Sequence, residues 1–548
     1  MATELELKLA LAPQDVAALR RHPLLAGAKP TRQRLLNTYF DTPELALAKA
    51  RMTLRLRHIG GVGAGGGTRG RPDTSKPGGG GVRRSPRGGK WLQTLKAGGA
   101  AAGGLHQRNE WEYPLPRGKL DLALFPAGVL DQADGSAGRV ADRLESVFTT
   151  DFVRTVWLVR PAPGTCIEVV LDQGRIFSAV RGRRELPISE LELELKAGDA
   201  AALYAFAAGL QQGIALRPDS VSKAERGYRL FDGRAGAQSG AEGLQAVRFK
   251  PPRIDATTPP AAVLRLTVGA CLAQAEANAA GVLQSSRDSE FVHQARVALR
   301  RMRACLQLAG KINPHDACVT ELGAGIRPVG RALGEARDWD VLTEQILPQL
   351  LRAWEVQAGT AAGGATLLAS ARRRRNAAYA GARDALAGAP WCITQLALSQ
   401  WLAGAGAPEG GAPGVVAFAA VQLAVRDKRL SHHSRRLAQK TPDERHRVRI
   451  HAKHLRYDVE MFGSLFAARP LRSYLDALTV LQDALGRAND ARRAAQLIVG
   501  LAPAPALARF AARWLERCEA RAVNAAQKAR KRLAVRKRFW RDAAAKAG

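Results

Sequence analysis

The chain has 548 residues, 46% of them hydrophobic, and its 83 Lys and Arg outnumber its 49 Asp and Glu for a formal net charge of +34. That length exceeds one ordinary domain and predicts about two or three, with enough apolar residues for real cores. The charge, heavier after residue 250, predicts a polyanionic partner: nucleic acid, an anionic membrane or polyphosphate. Six cysteines (166, 271, 305, 318, 392 and 518) lie scattered without C-x-x-C spacing, which argues against a zinc site or a disulfide framework and fits a reducing cytoplasm. Neither a basic-then-apolar leader nor a run of about 18 apolar residues is evident, so no signal peptide and no membrane partner are expected.

In chain order, Glu4, Glu6 and Lys8 come first, alternating with Leu5, Leu7 and Leu9. A strand would set the charges on one face and the leucines on the other. Like charges on one strand face repel. The face is therefore either simply solvated or holds a divalent cation beside a phosphate. Glu190, Glu192, Glu194 and Lys196 repeat the pattern. Period-two alternation also marks 52–57, 90–96, 109–113, 152–157 and 166–172 as strands. Helices are expected over 13–21 and 199–212. So many charged, alternating strands predict an antiparallel barrel with its charged face inward.

Residues 60–89 hold 13 glycines interrupted by Pro72, Pro77 and Pro86, which predicts a disordered hairpin loop between two strands. Asp172-Gln-Gly174 reads as a hairpin turn. Arg183, Arg184 and Arg226 are open between structural and site roles. A Gly/Ala/Pro-rich stretch over 233–260 reads as a linker.

Beyond Pro260 strand patterns vanish and 3.6-residue periodicity runs to the end, which predicts an all-helical domain over 261–548. It contains an internal repeat. His293, Arg296, Arg300 and Arg303 are matched by His446, Arg449, Lys453 and Arg456 at an offset of 153. Leu333-Gly-Glu-Ala-Arg-Asp338 is matched by Leu485-Gly-Arg-Ala-Asn-Asp490 at an offset of 152. Two similar helical bundles related by pseudo-symmetry are expected.

The strand charges suit phosphoanhydride chemistry. Cations would bind phosphate oxygens, and carboxylates a divalent metal that holds the attacking water. No Walker loop, G-x-S-x-G or Cys/His nucleophile arrangement is present, so a covalent route is not favoured. Glu4-x-Glu6-x-Lys8, Tyr39-Phe-Asp-Thr42, Leu54-Arg-Leu-Arg57, Thr94-Leu-Lys96, Arg108-x-Glu110-x-Glu112, Glu168 with Asp172-x-Gly174, Glu190–Lys196 and Ser222-Lys223-x-x-Arg226-Gly-Tyr228 together resemble a CYTH domain, of the triphosphate tunnel metalloenzyme superfamily. The resemblance covers residues 1–232 and implies an eight-stranded tunnel that binds a triphosphate with Mg²⁺ or Mn²⁺. It implies Glu4, Glu6, Glu192 and Glu194 as metal carboxylates, with Glu112 or Glu168 beside metal or water. It implies Lys8, Arg55, Arg57, Lys96, Arg154, Lys196 and Lys223 as phosphate ligands, and Glu4, Glu6, Lys8 and Glu112 as the catalytic set. The glycine-rich insertion would project from a barrel end and leave the site intact.

In the helical part, His293, Arg296, Arg300 and Arg303 fall within about 80° on a helix, as do their counterparts. Cations so aligned repel one another unless a polyanion runs along them. The alternative is a solvated basic face, or salt bridges to Asp338 and Asp490, which more simply orient the cations than bind metal. This half resembles a CHAD domain, the conserved-histidine α-helical family. The resemblance implies binding of inorganic polyphosphate and attachment to polyphosphate granules. Lys453 in place of arginine keeps the charge but loses the bidentate fork.

The expected fold class is multidomain α+β: an eight-stranded antiparallel β-barrel, then an all-α domain of two pseudo-symmetric bundles. The expected function is metal-dependent hydrolysis of inorganic triphosphate to pyrophosphate and phosphate, in the cytoplasm. Long-chain polyphosphate would be bound by the helices. Three alternatives stay open: a tunnel enzyme acting on ATP as a cyclase or on another organic triphosphate, a non-catalytic polyphosphate scaffold, and a nucleic-acid binder. Aromatics make up only 5% of the chain and do not interleave with the basic runs, so base stacking, and with it nucleic acid as the specific partner, is not favoured.

Overall fold

The structure, a computed structural model, describes residues 5–61, 89–102, 105–133, 139–178, 184–219, 221–231, 245–284, 288–314, 316–404 and 414–541. Glu4, Arg183 and most of the glycine-rich insertion lie outside the described residues. The chain forms two compact units, one of residues 1–243 with 395–403 and one of residues 244–394 with 404–548.

The first unit is built on nine antiparallel strands: β1 (Leu5–Leu11), β2 (Thr31–Asp41), β3 (Met52–Gly61), β4 (Lys90–Ala102), β5 (Leu105–Leu115), β6 (Glu145–Val159), β7 (Cys166–Ser178), β8 (Arg184–Ala197) and β9 (Leu216–Pro218). They run in the order β5-β4-β3-β2-β6-β7-β8-β1-β9, and β1 also pairs with β5 through Glu6 opposite His106 and Leu7 opposite Leu105. The sheet therefore has nine strands rather than eight. The extra one, β9, spans three residues beside β1, too short for a periodic signal. The stretch 172–174 is not a turn but the middle of β7. A Cβ on Gly174 would meet the Asp151 carbonyl oxygen at 2.2 Å, so glycine there permits close approach of β6.

The period-two pattern sorts the faces. Leu7, Leu9, Leu171, Leu191 and Leu193 are fully buried beneath α1 (Val16–Arg20) and α3 (Ala200–Leu210), through Leu19, Leu203 and Leu210. Met52, Leu54 and Leu95 are covered by Leu47 of α2 (Ala46–Lys49) and by Phe125, Val129 and Val140. With apolar side chains spent on the outward core, charged ones are left for the other face. A further helix, α4 (Lys223–Phe231), packs Tyr228 edge-on against Phe148, with ring centroids 5.1 Å apart. A Cβ on Gly227 would lie 2.1 Å from the Phe148 ring, so only glycine admits this docking.

The second unit holds the long helices α5 (Pro260–Leu283), α6 (Glu290–Ile312), α7 (Ala317–Asp340), α8 (Leu347–Ala358), α9 (Gly364–Ala387), α11 (Val415–His433), α12 (Pro442–Phe462), α13 (Ala468–Val499) and α14 (Pro505–Ala534); α10 (Ala389–Ala403) straddles the boundary between units. Pro260 occupies the first turn of α5, where its missing N–H costs nothing. Thr441 and Glu444 close a capping box at the start of α12. The repeated motifs fall on equivalent pairs, α6 with α7 and α12 with α13. One core of the second pair gathers Leu430, Val448, Leu455, Tyr474, Leu481 and Trp540.

Candidate functional site

The charged face of the sheet lines a cavity of 260 Å³. Strand register places its acids on one wall. Glu6 on β1 faces Glu194 on β8, which faces Glu168 on β7, so three carboxylates share one rung. One rung deeper, Lys8 faces Glu192. Below that, Asp172, Glu190 and Glu192 each offer an oxygen within 4.8 Å of the others, close enough to share a metal ion. That deep triad already holds cations. Lys223 Nζ sits 2.7 Å from both Asp172 and Glu192 and also pairs with Glu190. Arg154 makes a bidentate pair with Asp172 at 2.7 and 2.9 Å and reaches Glu192 at 2.9 Å.

The opposite wall carries Arg55, Arg57, Lys96, Glu110 and Glu112. Lys96 pairs with Glu110 at 2.7 Å, and the Thr94 hydroxyl donates to Glu112 at 2.9 Å. Arg57 donates to Asn37 at 2.8 Å and makes no ion pair among the described residues. Burial, then the neighbouring charges of Arg55 and Arg154, push its pKa down to about 9. An anion beside Arg57 would relieve that field. Across the cavity, burial and then Glu192 raise the pKa of Glu6. Burial opposes ionisation of Glu192 too, but Lys223, Lys8 and Arg154 outweigh it and hold that carboxyl well below the usual range.

In the helical unit a groove of 1060 Å³ runs between the two repeats. His293, Arg296 and Arg300 line it from α6, and His446, Arg449, Lys453 and Arg456 from α12. Ion pairs tie the repeats together: Arg493 to Asp338 at 2.8 Å, and Arg301 to Glu460, with Arg300 donating to the Tyr457 hydroxyl at 2.7 Å. The cations outnumber their partners. The Nε atoms of Arg296 and Arg449 are buried without a hydrogen-bond partner. Burial and then Arg300 push Arg296 down to about 10. Burial, then Arg300, Arg449 and Arg296, push Lys453 down to about 4, and burial with Arg337 pushes His293 to about 4. Without an anion beside it, Lys453 thus does not keep its charge at neutral pH.

The CYTH domain family matches residues 2–228, and the CHAD domain family matches residues 267–499. The chain is a CYTH domain followed by a CHAD domain. The inorganic triphosphatase of Haemophilus influenzae is 34% identical over 237 residues, or 42% of this chain and 55% of that protein; the chain thus spans about half the length of this curated relative. A CHAD domain structure from the plant Ricinus communis is 26% identical, with a TM-score of 0.44, and covers 53% of this chain and 97% of its own. A putative adenylyl cyclase from Hippeastrum, described as having a dominant triphosphatase activity, is 16% identical with a TM-score of 0.27, covering 42% of this chain and 96% of its own.

Within the CYTH domain the cavity brings together Glu6, Lys8, Arg55, Arg57, Lys96, Glu112, Arg154, Glu168, Glu192, Glu194 and Lys223. Lys196 does not line it. It pairs with Glu194 at 2.6 Å and lies 3.9 Å from Glu168, with its side chain 40% exposed. Arg226 is held by Glu190, a structural role. Asn37 and Tyr39 also line the cavity, on β2, whose mixed polarity gives no clear alternation, and Thr53 does so on the same face of β3 as Arg55 and Arg57. In the CHAD domain Arg303 does not reach the groove; it lines a separate cavity. At 1.5 Å rise per residue it stands about 15 Å along α6 from His293, in a cavity that adjoins the groove through Arg296 and Arg300. Arg301, Arg337 and Arg493 also line the groove; Arg337 sits within the repeated Leu333–Asp338 motif, Arg301 falls off the stripe of α6, and Arg493 lies beyond the repeated motif of α13, so their spacing alone does not single them out.

Proposed function

We propose that the CYTH domain closes into an eight-stranded tunnel that hydrolyses inorganic triphosphate to pyrophosphate and phosphate. Pairing of β1 with β5 supports the closure, with β9 an added strand beside β1. The observation that carries the reading is the lining of the cavity: carboxylates of β1, β7 and β8 on one wall, and on the other, beside Glu110 and Glu112, a half-buried guanidinium, Arg57, with no ion-pair partner among the described residues. Arg55, Arg57, Lys96 and Arg154 would bind the terminal phosphate oxygens, while Lys223 and Lys8 set the potential of the acidic wall.

Members of this superfamily depend on a divalent metal, and the donor set fits one. Glu6, Glu194 and Glu168 are like charges on adjacent strands, offset in part by Lys196 beside Glu194 and Glu168 and by Lys8 at 3.8 Å from Glu6. They are all-oxygen ligands, which suit Mg²⁺ or Mn²⁺. Glu192 and Glu4 would complete the set. When bound, the metal would supply a nucleophilic water and neutralise phosphate charge. The protein's own part is to hold the triphosphate in line through the arginines, with Glu112 placed by Thr94 to accept a proton from the attacking water. Phosphate release from inorganic triphosphate, ATP and long-chain polyphosphate, with and without Mg²⁺, tests the reading; equal or better turnover of ATP would favour a nucleotide enzyme.

The CHAD domain is proposed to hold long-chain polyphosphate in its groove and so to place the protein on polyphosphate granules in the cytoplasm. The unpartnered guanidinium nitrogens of Arg296 and Arg449 support an anion there. Among the described residues no helix is long and apolar enough to cross a membrane.

A further inference from the structure

The two repeats of the CHAD domain are not equivalent beyond the groove. Arg296 and Arg300 line the groove and also a second cavity of 470 Å³ on the outer side of α6, where Arg303 is joined by Arg327 and Arg331 of α7. The two basic surfaces are thus continuous through these shared side chains. None of Arg303, Arg327 and Arg331 makes an ion pair among the described residues, and burial together with Arg327 holds Arg303 below its ordinary pKa. Gly330 also lines this cavity, and a Cβ there would meet nothing within 4 Å, so the space beside it is open.

The corresponding positions of the second repeat differ. The counterpart of Arg303 is Arg456, which lies inside the groove and is paired with Glu460 at 2.7 Å. At the offset of 152 that relates α7 to α13, Arg327 corresponds to Thr479 and Arg331 to Asp483. A separate group of arginines, Arg469, Arg472, Arg532 and Arg536, lines a cavity that shares no residue with the groove.

We propose that a long polyphosphate chain leaves the groove on one side only, across Arg303, Arg327 and Arg331, which form an extended subsite for chains too long for the groove. The proposal rests on the reading of the groove as a polyphosphate site. The asymmetry gives the bound chain a defined exit and makes affinity depend on chain length, because a chain that fills the groove continues onto the outer cations. Each outer phosphate contact adds to affinity chiefly by releasing counterions, so it is read in the salt dependence.

The test compares the full-length protein with Arg327→Gln/Arg331→Gln and, as a matched control, Arg532→Gln/Arg536→Gln. Binding of tripolyphosphate and of long-chain polyphosphate is titrated across salt concentrations. The expected result is a loss of about tenfold in long-chain affinity for the first variant, with the slope of log affinity against log salt flatter by roughly 0.7 per lost contact. Its tripolyphosphate affinity, and both affinities of the control, stay at the wild-type level. Unchanged long-chain binding by the first variant overturns the one-sided exit, as does an equal loss in the control. Failure of the wild-type protein to bind either ligand would instead remove the groove reading on which the exit depends.

Discussion

Lys223 Nζ and the Asp172 carboxylate stand 2.7 Å apart in the floor of the CYTH cavity, with Asp172 fully buried. The lysine occupies the space among Asp172, Glu190 and Glu192 that a metal ion would otherwise fill. The deep triad therefore anchors cations; the shallower rung of Glu6, Glu194 and Glu168, which has Lys196 at its edge, is the part of the acidic wall that we propose for metal.

Removing that lysine leaves buried carboxylates short of countercharge. Lys223→Met is expected to destabilise the CYTH domain by about 3–5 kcal/mol, the usual consequence of breaking a buried pair. The sign of its pH dependence is fixed. Protonation relieves the charge the missing ammonium no longer offsets, so the variant's deficit relative to wild type narrows as pH falls. Urea unfolding at pH 5 and 7 checks both; a variant as stable as wild type at pH 7 would show that Arg154 and Lys8 suffice.

Gly227→Ala drives a methyl group into the Phe148 ring and lifts α4, which carries Lys223, from the sheet. A loss of about 1–3 kcal/mol is expected from overpacking, together with weaker triphosphate binding. Thermal unfolding and a binding titration measure the two effects. Normal stability with normal binding would mean α4 tolerates the shift.

The groove predicts a proton inventory. Lys453 faces Arg296 and Arg300 from α6, Arg449 from its own helix and Asp490 from α13, and takes up a proton only below about 4. The unfolded chain protonates this lysine below about 10, so between these values the unfolded state binds more protons and stability of the unliganded domain rises with pH. A bound polyanion reverses the balance. Polyphosphate binding at pH 7 is expected to take up about one proton or more, with His293 contributing, and Lys453→Met to take up fewer. Calorimetry in buffers of different ionisation enthalpy reads this number directly; zero uptake by the wild type would contradict it.

Much of the fold and of the site is legible in the sequence where the signal is local. Alternation of Glu6 and Lys8 with leucines, and of Arg55 and Arg57 with Leu54 and Leu56, names both the strands and their two faces. The offset of 153 between His293 and His446 is enough to mark α6 and α12 as equivalent helices. What stays hidden is non-local or too short. Gly174 resembles a turn residue until β6 is seen packed against it, and three-residue β9 carries no period. Lys223 reads as a phosphate ligand and does line the cavity, but sequence cannot show that three carboxylates from β7 and β8 converge on it. Arg303 shares the stripe's angle but not its position along the helix.

The measurement that bears most directly on the central claim is phosphate release from inorganic triphosphate by the wild type and by Glu6→Gln/Glu194→Gln, with Mg²⁺ or Mn²⁺ titrated in. Metal-dependent release that falls about 100-fold or more in the variant is the predicted result. Metal-independent release, or a variant as active as wild type at every metal concentration, would contradict it.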